Sequence, residues 1–174
     1  AVFMSEYMHR HHNCQVLFLV RHPGAVLSSY KRLGWTVDFT NIKKLTGIYE
    51  EHLSGYYSFL NKTNQSLSEQ VGLLWVCIYK ILQVFLERNT NWLVLCHEDI
   101  CVNPQASFDT LFNWANVPLT GEIRAHINNV TDERNPVLAR NNQIHDLSRD
   151  SKTLLVYWKD KINKSEKFGF NNDY

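Results

Sequence analysis

Two short apolar runs constrain the fold more than any other feature of this sequence. Residues 15–20 (QVLFLV) and 91–96 (NWLVLC) are rich in β-forming side chains, and each run is followed at once by polar residues. Runs of this length and composition are typical of strands covered on both faces, as in a parallel sheet. We therefore expect residues 16–20 and 93–96 to be parallel strands of one sheet, with their carboxyl ends at the same edge.

Helical patterns occupy most of the remaining sequence. A helix is expected from Pro23 to about Leu33, because proline is well tolerated at the first helical position. Ser66 and Glu69 form a capping-box pattern, which predicts that a helix begins there and continues through Leu86. Further helices are predicted over residues 1–12, 40–60, 104–114 and 151–162, whereas residues 131–150 are polar and irregular. Strands connected through helices indicate the α/β class.

The number of strands suggests an incomplete domain. Two strands are too few for an α/β sheet that buries helices on both faces. We therefore expect residues 1–174 to be the carboxyl-terminal part of a single domain whose first strands lie upstream. The alternative is that further strands are hidden in segments assigned here as helices. If strands are missing, one side of the sheet is uncovered and exposes an apolar patch.

Charge and composition exclude several kinds of function. The chain has 18 basic and 17 acidic residues, so its net charge of +1 supplies no overall field that attracts nucleic acid or anionic lipid. No apolar run reaches the roughly 18 residues that indicate a membrane span. The four cysteines lack metal-type spacing with histidine, and we expect no metal site. Any anion that the chain binds must be held by a local site.

Arg21 is the strongest candidate for such a site. It follows the first predicted strand, and ligands of open α/β sheets bind at the carboxyl ends of strands. Its guanidinium can hold a phosphate through two parallel hydrogen bonds. Ser29 lies about two turns into the helix that begins near Pro23 and can turn its hydroxyl toward the same ligand. The alternative is that Arg21 pairs with Glu98 or Asp99 and that Ser29 is an ordinary helix-surface residue.

The same segment resembles a known motif. VLFLVRHPGAVLSS is similar to the 3′-phosphate-binding motif of sulfotransferases that use the donor 3′-phosphoadenosine 5′-phosphosulfate (PAPS). In that motif a hydrophobic strand precedes R-x-P, and a serine lies eight residues after the arginine. The resemblance implies that Arg21 and Ser29 bind the 3′-phosphate. Two positions depart from the family pattern, His22 in place of Asp or Asn and Gly24 in place of a larger residue, but neither makes these phosphate contacts.

Two later segments extend the resemblance to near residue 161. Trp75, the helix after it, the strand WLVLC, HED and the NP pair are similar to the family's tryptophan, helix, strand and YEDLxxNP arrangement. His97 takes the place of the tyrosine that borders the adenine ring, while Glu98 and Asp99 are expected to be structural. Near the end, SR followed by LVYWK is similar to the family's serine, basic residue and tryptophan helix, where a basic loop closes over the nucleotide. By this resemblance His97 and Arg149 are further donor-binding candidates.

The resemblance implies a fold and a reaction. The fold is a P-loop-hydrolase-like parallel sheet flanked by helices, and the reaction is sulfuryl transfer from PAPS to a hydroxyl or amine of a small-molecule or carbohydrate acceptor, leaving adenosine 3′,5′-bisphosphate (PAP). The chain would supply the 3′-phosphate and adenine side of the donor site. The family's loop for the 5′-phosphosulfate is not found in the sequence, so we expect the chain to be inactive alone. We assign no catalytic residue, and we interpret the cluster His9, His11 and His12 as a polar helix end.

Two other classes of function stay open at this point. One is a P-loop kinase-type phosphotransferase, which an upstream GxxxxGK loop followed by Ser or Thr would indicate. The other is a non-catalytic nucleotide-binding module, which would bind PAP without turnover. The pattern is compatible with a cytoplasmic or a Golgi protein, and it predicts neither the acceptor nor the oligomeric state.

Overall fold

The two apolar runs pair with each other. In the computed structural model, which describes residues 2–138 and 148–162, β1 (Leu17–Val20) and β2 (Leu93–Cys96) form a parallel ladder. The register runs from Leu17 opposite Leu93 to Val20 opposite Cys96, so both strands end at one edge. The prediction of two parallel strands is confirmed. Over the described ranges the fold is mainly helical with this small parallel sheet, an α/β arrangement.

The chain divides into two units, which are described separately below. The helical unit comprises the described residues of Ala1–Val16, Pro23–Trp92 and Ile162–Tyr174. The sheet unit comprises those of Leu17–His22 and Leu93–Lys161 and contains both strands.

Helices make up most of each unit. Those of the helical unit are a 3-10 turn Val2–Met4, α1 (Ser5–His12), α2 (Pro23–Leu33), α3 (Thr40–Lys43), α4 (Thr46–Ile48), a π-helical turn Tyr49–Leu53, a 3-10 turn Ser54–Tyr56, α5 (Tyr57–Leu60) and α6 (Leu67–Arg88). Those of the sheet unit are α7 (His97–Val102), α8 (Pro104–Trp114), α9 (Gly121–Thr131), α10 (Ser151–Tyr157) and a 3-10 turn Trp158–Asp160. The starts of α2, α6 and α8 lie where the local sequence signals predict them.

Three segments differ from the sequence prediction. The single helix expected over residues 40–60 is divided into short pieces: it is interrupted at residues 44–45, and a π-helical turn and a 3-10 turn separate α4 from α5. The predicted last helix ends at Tyr157 and continues only as a 3-10 turn. The sequence analysis did not predict α9, although Thr120 caps it by accepting a hydrogen bond from the amide of Ile123 at 3.3 Å.

The helical unit is built around α6, which packs against α2. Its side chains with essentially no exposed surface are apolar: Leu27, Leu53, Val71, Cys77 and Ile81. Burying an aliphatic side chain of this size stabilises a fold by about 1.5–3 kcal/mol. The capping box is formed, since the amide of Ser66 donates to Oε2 of Glu69 at 2.8 Å and the amide of Glu69 donates to Oγ of Ser66 at 3.3 Å. Local capping and apolar burial therefore act on the same helix.

α6 is also the one helix in the described part of the chain whose length and composition would allow it to cross a membrane. It has 22 residues, and the core helix of a soluble protein can pass the same test. Here Val71, Cys77, Ile81, Leu82 and Phe85 of α6 are buried within the protein. This is weak evidence for a membrane span.

The sheet unit leaves one face of β1 exposed. Phe18 is 9% exposed, whereas Leu17 and Leu19 are 39% and 57% exposed. Because alternate residues of a strand point to opposite faces, Leu17 and Leu19 lie on the uncovered one. The expectation that this strand is covered on both faces is therefore wrong for β1. Its exposed face is apolar, as the sequence analysis expects of a sheet with one uncovered side.

Candidate functional site

The candidate site lies at the edge where both strands end. Arg21 and His22 follow β1 directly, and His97 follows β2 as the first residue of α7. The backbone amide of His22 donates to Oε1 of Glu98 at 3.0 Å. This bond ties the segment after β1 to the helix after β2. The bond agrees with the expectation that Glu98 is structural.

Arg21 carries the positive charge of this edge. His97 is part-buried, and burial followed by the nearby Arg21 guanidinium lowers the pKa of His97 below its ordinary value of 6.5, against the opposing effect of Glu98. The imidazole of His97 is therefore neutral at pH 7. Burial also raises the pKa of the Cys101 thiol, Glu98 raises it further, and Arg21 opposes that shift. The Arg21 guanidinium and the Glu98 carboxylate are thus both close to His97 and Cys101.

His97 contacts the residue one helical turn later. The Sγ of Cys101 lies 3.6 Å from Nδ1 of His97. The imidazole is thus oriented within α7 by a weakly polar thiol. An aromatic ring in this position at the end of β2 is what the resemblance assigns to the adenine contact, and that role stays a prediction.

His22 makes a contact that the sequence analysis missed. Its ring stacks on the indole of Trp158, with 4.3 Å between ring centroids and 22° between planes. The Nζ of Lys159 lies 5.9 Å from the centroid of the same indole. Burial, with Lys159 as a smaller contribution, lowers the pKa of His22, while Glu98 opposes the shift. The sequence marked His22 only as a departure from the family pattern and Trp158 only as part of a terminal helix, and no spacing connects them.

Ser29 lies on α2, in the helical unit, whereas Arg21 belongs to the sheet unit. The Ser29 hydroxyl donates to the carbonyl of Ala25 at 3.1 Å, a bond typical of serine inside a helix. This bond agrees with the alternative of an ordinary helix serine. That Ser29 and Arg21 share one phosphate stays a prediction. Trp75, part of the second matching segment, is also in the helical unit, where it stacks on Tyr79 with 3.8 Å between centroids.

Arg149 binds backbone rather than extending into solvent. Its Nε donates to the carbonyl of Val137 at 3.0 Å, and its Nη2 donates to the same oxygen. Its own amide donates to the carbonyl of Val130 at 3.2 Å. These bonds hold the segment after α9 against the residues that lead into α10. The predicted nucleotide contact of Arg149 is untested, and its guanidinium has a structural function in this state.

A buried polar cluster supports α10. Asp150 and Ser151 are only 7% and 8% exposed. Asp150 caps the helix by accepting a hydrogen bond from the amide of Thr153 at 3.1 Å, and it also accepts one from the Thr153 hydroxyl. These bonds lower the pKa of Asp150. The Ser151 hydroxyl is shared between the carbonyl of Thr131 at 3.0 Å and that of Cys101 at 3.3 Å, which joins α10 to α9 and α7.

The described residues contain no group of three or more His, Cys, Asp or Glu side chains placed to hold a metal ion. Nδ1 of His9 lies 2.8 Å from the carbonyl oxygen of Cys14, and its ring meets Trp92 edge-on with 5.5 Å between centroids. The interpretation of the amino-terminal histidines as a helix end agrees with these contacts of His9. Comparison with protein-family models, curated proteins and solved structures gives no match to this chain.

Proposed function

We propose that this chain supplies the 3′-phosphate and adenine side of the donor site of a PAPS-dependent sulfotransferase, within a P-loop-hydrolase-like domain. The observation that carries the proposal is the position of Arg21. It lies at the carboxyl edge of a parallel sheet, the edge at which open α/β sheets bind their ligands. The motif around it, an apolar strand followed by R-x-P and a helix, supports the assignment of a 3′-phosphate as its ligand.

The charge of the Arg21 guanidinium supports an anionic ligand. His97 is neutral at pH 7 because its pKa is lowered by burial and by Arg21 itself. Oε1 of Glu98 accepts the hydrogen bond of the His22 amide and so ties the backbone next to Arg21 to α7. A guanidinium presents a planar pair of donors that matches two phosphate oxygens. Arg21 is thus the group that would bind the phosphate, with the neutral His97 ring beside it for the base.

The proposed reaction places Arg21 away from the bond that breaks. A hydroxyl oxygen or amine nitrogen of the acceptor attacks the sulfur of PAPS, and the bond from sulfur to the bridging phosphate oxygen breaks. PAP leaves with that electron pair, and the acceptor loses a proton to a base. Arg21 would bind the 3′-phosphate and so orient the donor, which lowers the entropic part of the barrier. Ser29 and Arg149 are proposed as further donor contacts, and Arg149 would act after release from Val137.

The test compares PAP with adenosine 5′-phosphate (AMP), which lacks the 3′-phosphate, by calorimetry on the protein made from its full coding sequence. A hydrogen bond to a charged group contributes about 1.5–3 kcal/mol, so Arg21→Ala should weaken PAP binding roughly ten- to hundredfold and leave AMP binding nearly unchanged. Arg134→Ala is the matched control. It removes the same charge from an arginine of the sheet unit whose side chain is 88% exposed and paired with Asp132.

The outcomes separate the classes of function. Equal losses of PAP and AMP in Arg21→Ala would mean that Arg21 supports the fold, and the proposal would fail. Sulfuryl transfer from PAPS by the same preparation supports the enzyme. Phosphoryl transfer from ATP with no response to PAPS would assign it to the kinases instead. Binding of PAP without transfer to any hydroxyl or amine acceptor would indicate a binding module.

A further inference from the structure

We infer that Trp158 is a positioning residue for Arg21 and acts through the stacked ring of His22. The inference rests on the proposed function, because it concerns how the 3′-phosphate ligand is held. Arg21 lies between two anchored neighbours. On one side, Val20 is the last β1 residue of the ladder, opposite Cys96. On the other side, Glu98 holds the amide of His22 and the Trp158 indole stacks on its ring.

Trp158 is itself well supported. It follows α10 directly, in the 3-10 turn Trp158–Asp160. The first turn of α10 is fixed by the Asp150 cap and by the Ser151 hydroxyl, which bonds to the carbonyls of Thr131 and Cys101. The stack therefore joins the segment after β1 to a helix that is anchored on two other helices. All of these residues belong to the sheet unit.

Such an anchor matters most for an arginine that binds a phosphate. The guanidinium ends a long side chain, and it makes two parallel bonds only if its backbone holds it at the right angle and distance. A backbone that is fixed before the ligand arrives loses less conformational entropy on binding. Removing the indole takes away the stack that holds the ring of His22. Arg21 is then less well placed, although it is chemically unchanged.

The experiment uses Trp158→Leu and Trp158→Phe in the protein made from its full coding sequence, with PAP and AMP as ligands. An aromatic stack contributes energy comparable to a three- to tenfold change, so Trp158→Leu should weaken PAP binding by about that factor and leave AMP binding unchanged. Phe keeps an aromatic face and should restore most of the PAP affinity. Trp35→Leu is the matched control, since Trp35 is 48% exposed in the helical unit and meets Tyr30 edge-on.

A double-mutant cycle tests whether the effect of Trp158 on PAP binding depends on Arg21. If Trp158 acts only through Arg21, adding Trp158→Leu to Arg21→Ala changes PAP affinity no further. Additive losses in the cycle, or equal losses of PAP and AMP in Trp158→Leu, would overturn the inference and make Trp158 a direct or a purely structural contributor. Unchanged PAP binding in Trp158→Leu would overturn it as well. These results differ from failure of the proposed function, in which Arg21→Ala itself shows no preference for PAP.

Discussion

The helical unit and the sheet unit bury different kinds of side chain. The largest fully buried side chains that the structure describes are Leu27, Leu53, Val71, Cys77 and Ile81, and all of them lie in the helical unit. The sheet unit instead contains the buried polar pair Asp150 and Ser151, together with the part-buried His22 and His97. It also exposes two leucines of its strand β1.

This difference suggests that the two units have different tasks: the helical unit contributes most of the apolar stabilisation, and the sheet unit positions the candidate functional groups. Apolar burial is the largest favourable contribution to folding, and it needs no exact partner. Buried polar groups are tolerated only where hydrogen bonds satisfy them, so they specify one arrangement. In the sheet unit those bonds converge on α10 and on the segment after β1, the segment that carries Arg21. The unit with the weaker apolar core is thus the one that holds charged and aromatic groups in defined positions.

The largest expected effect is on the free energy of unfolding. The same substitution, leucine to alanine, is made once in each unit to test the contrast in apolar burial. Leu27 has no exposed surface in the helical unit, so Leu27→Ala should lower the free energy of unfolding by about 2–5 kcal/mol. Leu19 is 57% exposed in the sheet unit, so Leu19→Ala should cost about 1 kcal/mol or less. Urea unfolding measures both. Equal costs would show that the leucine face of β1 is covered in solution, and the contrast would break.

A smaller effect tests the contrast in polar burial. Ser151→Ala removes the hydroxyl that bonds to the part-buried Thr131 carbonyl and to the buried Cys101 carbonyl, so both acceptors lose that donor. The free energy of unfolding should fall by about 1–3 kcal/mol. Ser58, an exposed serine of α5 in the helical unit, is the matched control, and Ser58→Ala should stay within about 0.5 kcal/mol of the wild type. A Ser151→Ala protein as stable as the control would mean that this polar cluster is dispensable.

The smallest expected effect is the dependence of stability on pH, and the two units differ in the pH range over which stability changes. In the helical unit, the Lys62 side chain and then Ser66 lower the pKa of Glu69 from 4.5 to about 2. The ionised form is favoured in the folded state, so this contribution is present above pH 4.5 and is lost as the pH falls toward 2. In the sheet unit the pKa of His97 is lowered from 6.5, so the unfolded chain takes up that proton first and stability falls as the pH drops below about 6.5.

Substituting Glu69 and His97 one at a time tests which residue causes the loss of stability in each pH range. Glu69→Gln should flatten the dependence of unfolding free energy on pH between 4.5 and 2, and His97→Gln should flatten it just below 6.5. Denaturant unfolding at a series of pH values measures both slopes. If His97→Gln leaves the slope near pH 6 unchanged, His97 has the same pKa in the folded and unfolded states, and the lowering of its pKa in the folded protein is wrong.

The local features of the fold were predictable from the sequence because short segments decide them. The apolar runs predicted β1 and β2, Pro23 predicted the start of α2, and Ser66 with Glu69 predicted the cap of α6. In each case the signal lies within a few residues of the structure it specifies, so propensity and capping are sufficient.

The arrangement of the candidate site depended on tertiary structure. Sequence identified Arg21 as a group at a strand end, but it did not predict that His22 stacks on Trp158, that Arg149 binds the Val137 carbonyl, or that one face of β1 is exposed. These features join residues that are distant in the chain or depend on what covers a surface. Neither periodicity nor spacing encodes such relations, because they arise only when separate elements pack against one another. The sequence by itself therefore determined both strands and the starts of α2, α6 and α8, and packing decided which side chains meet at the ends of the strands.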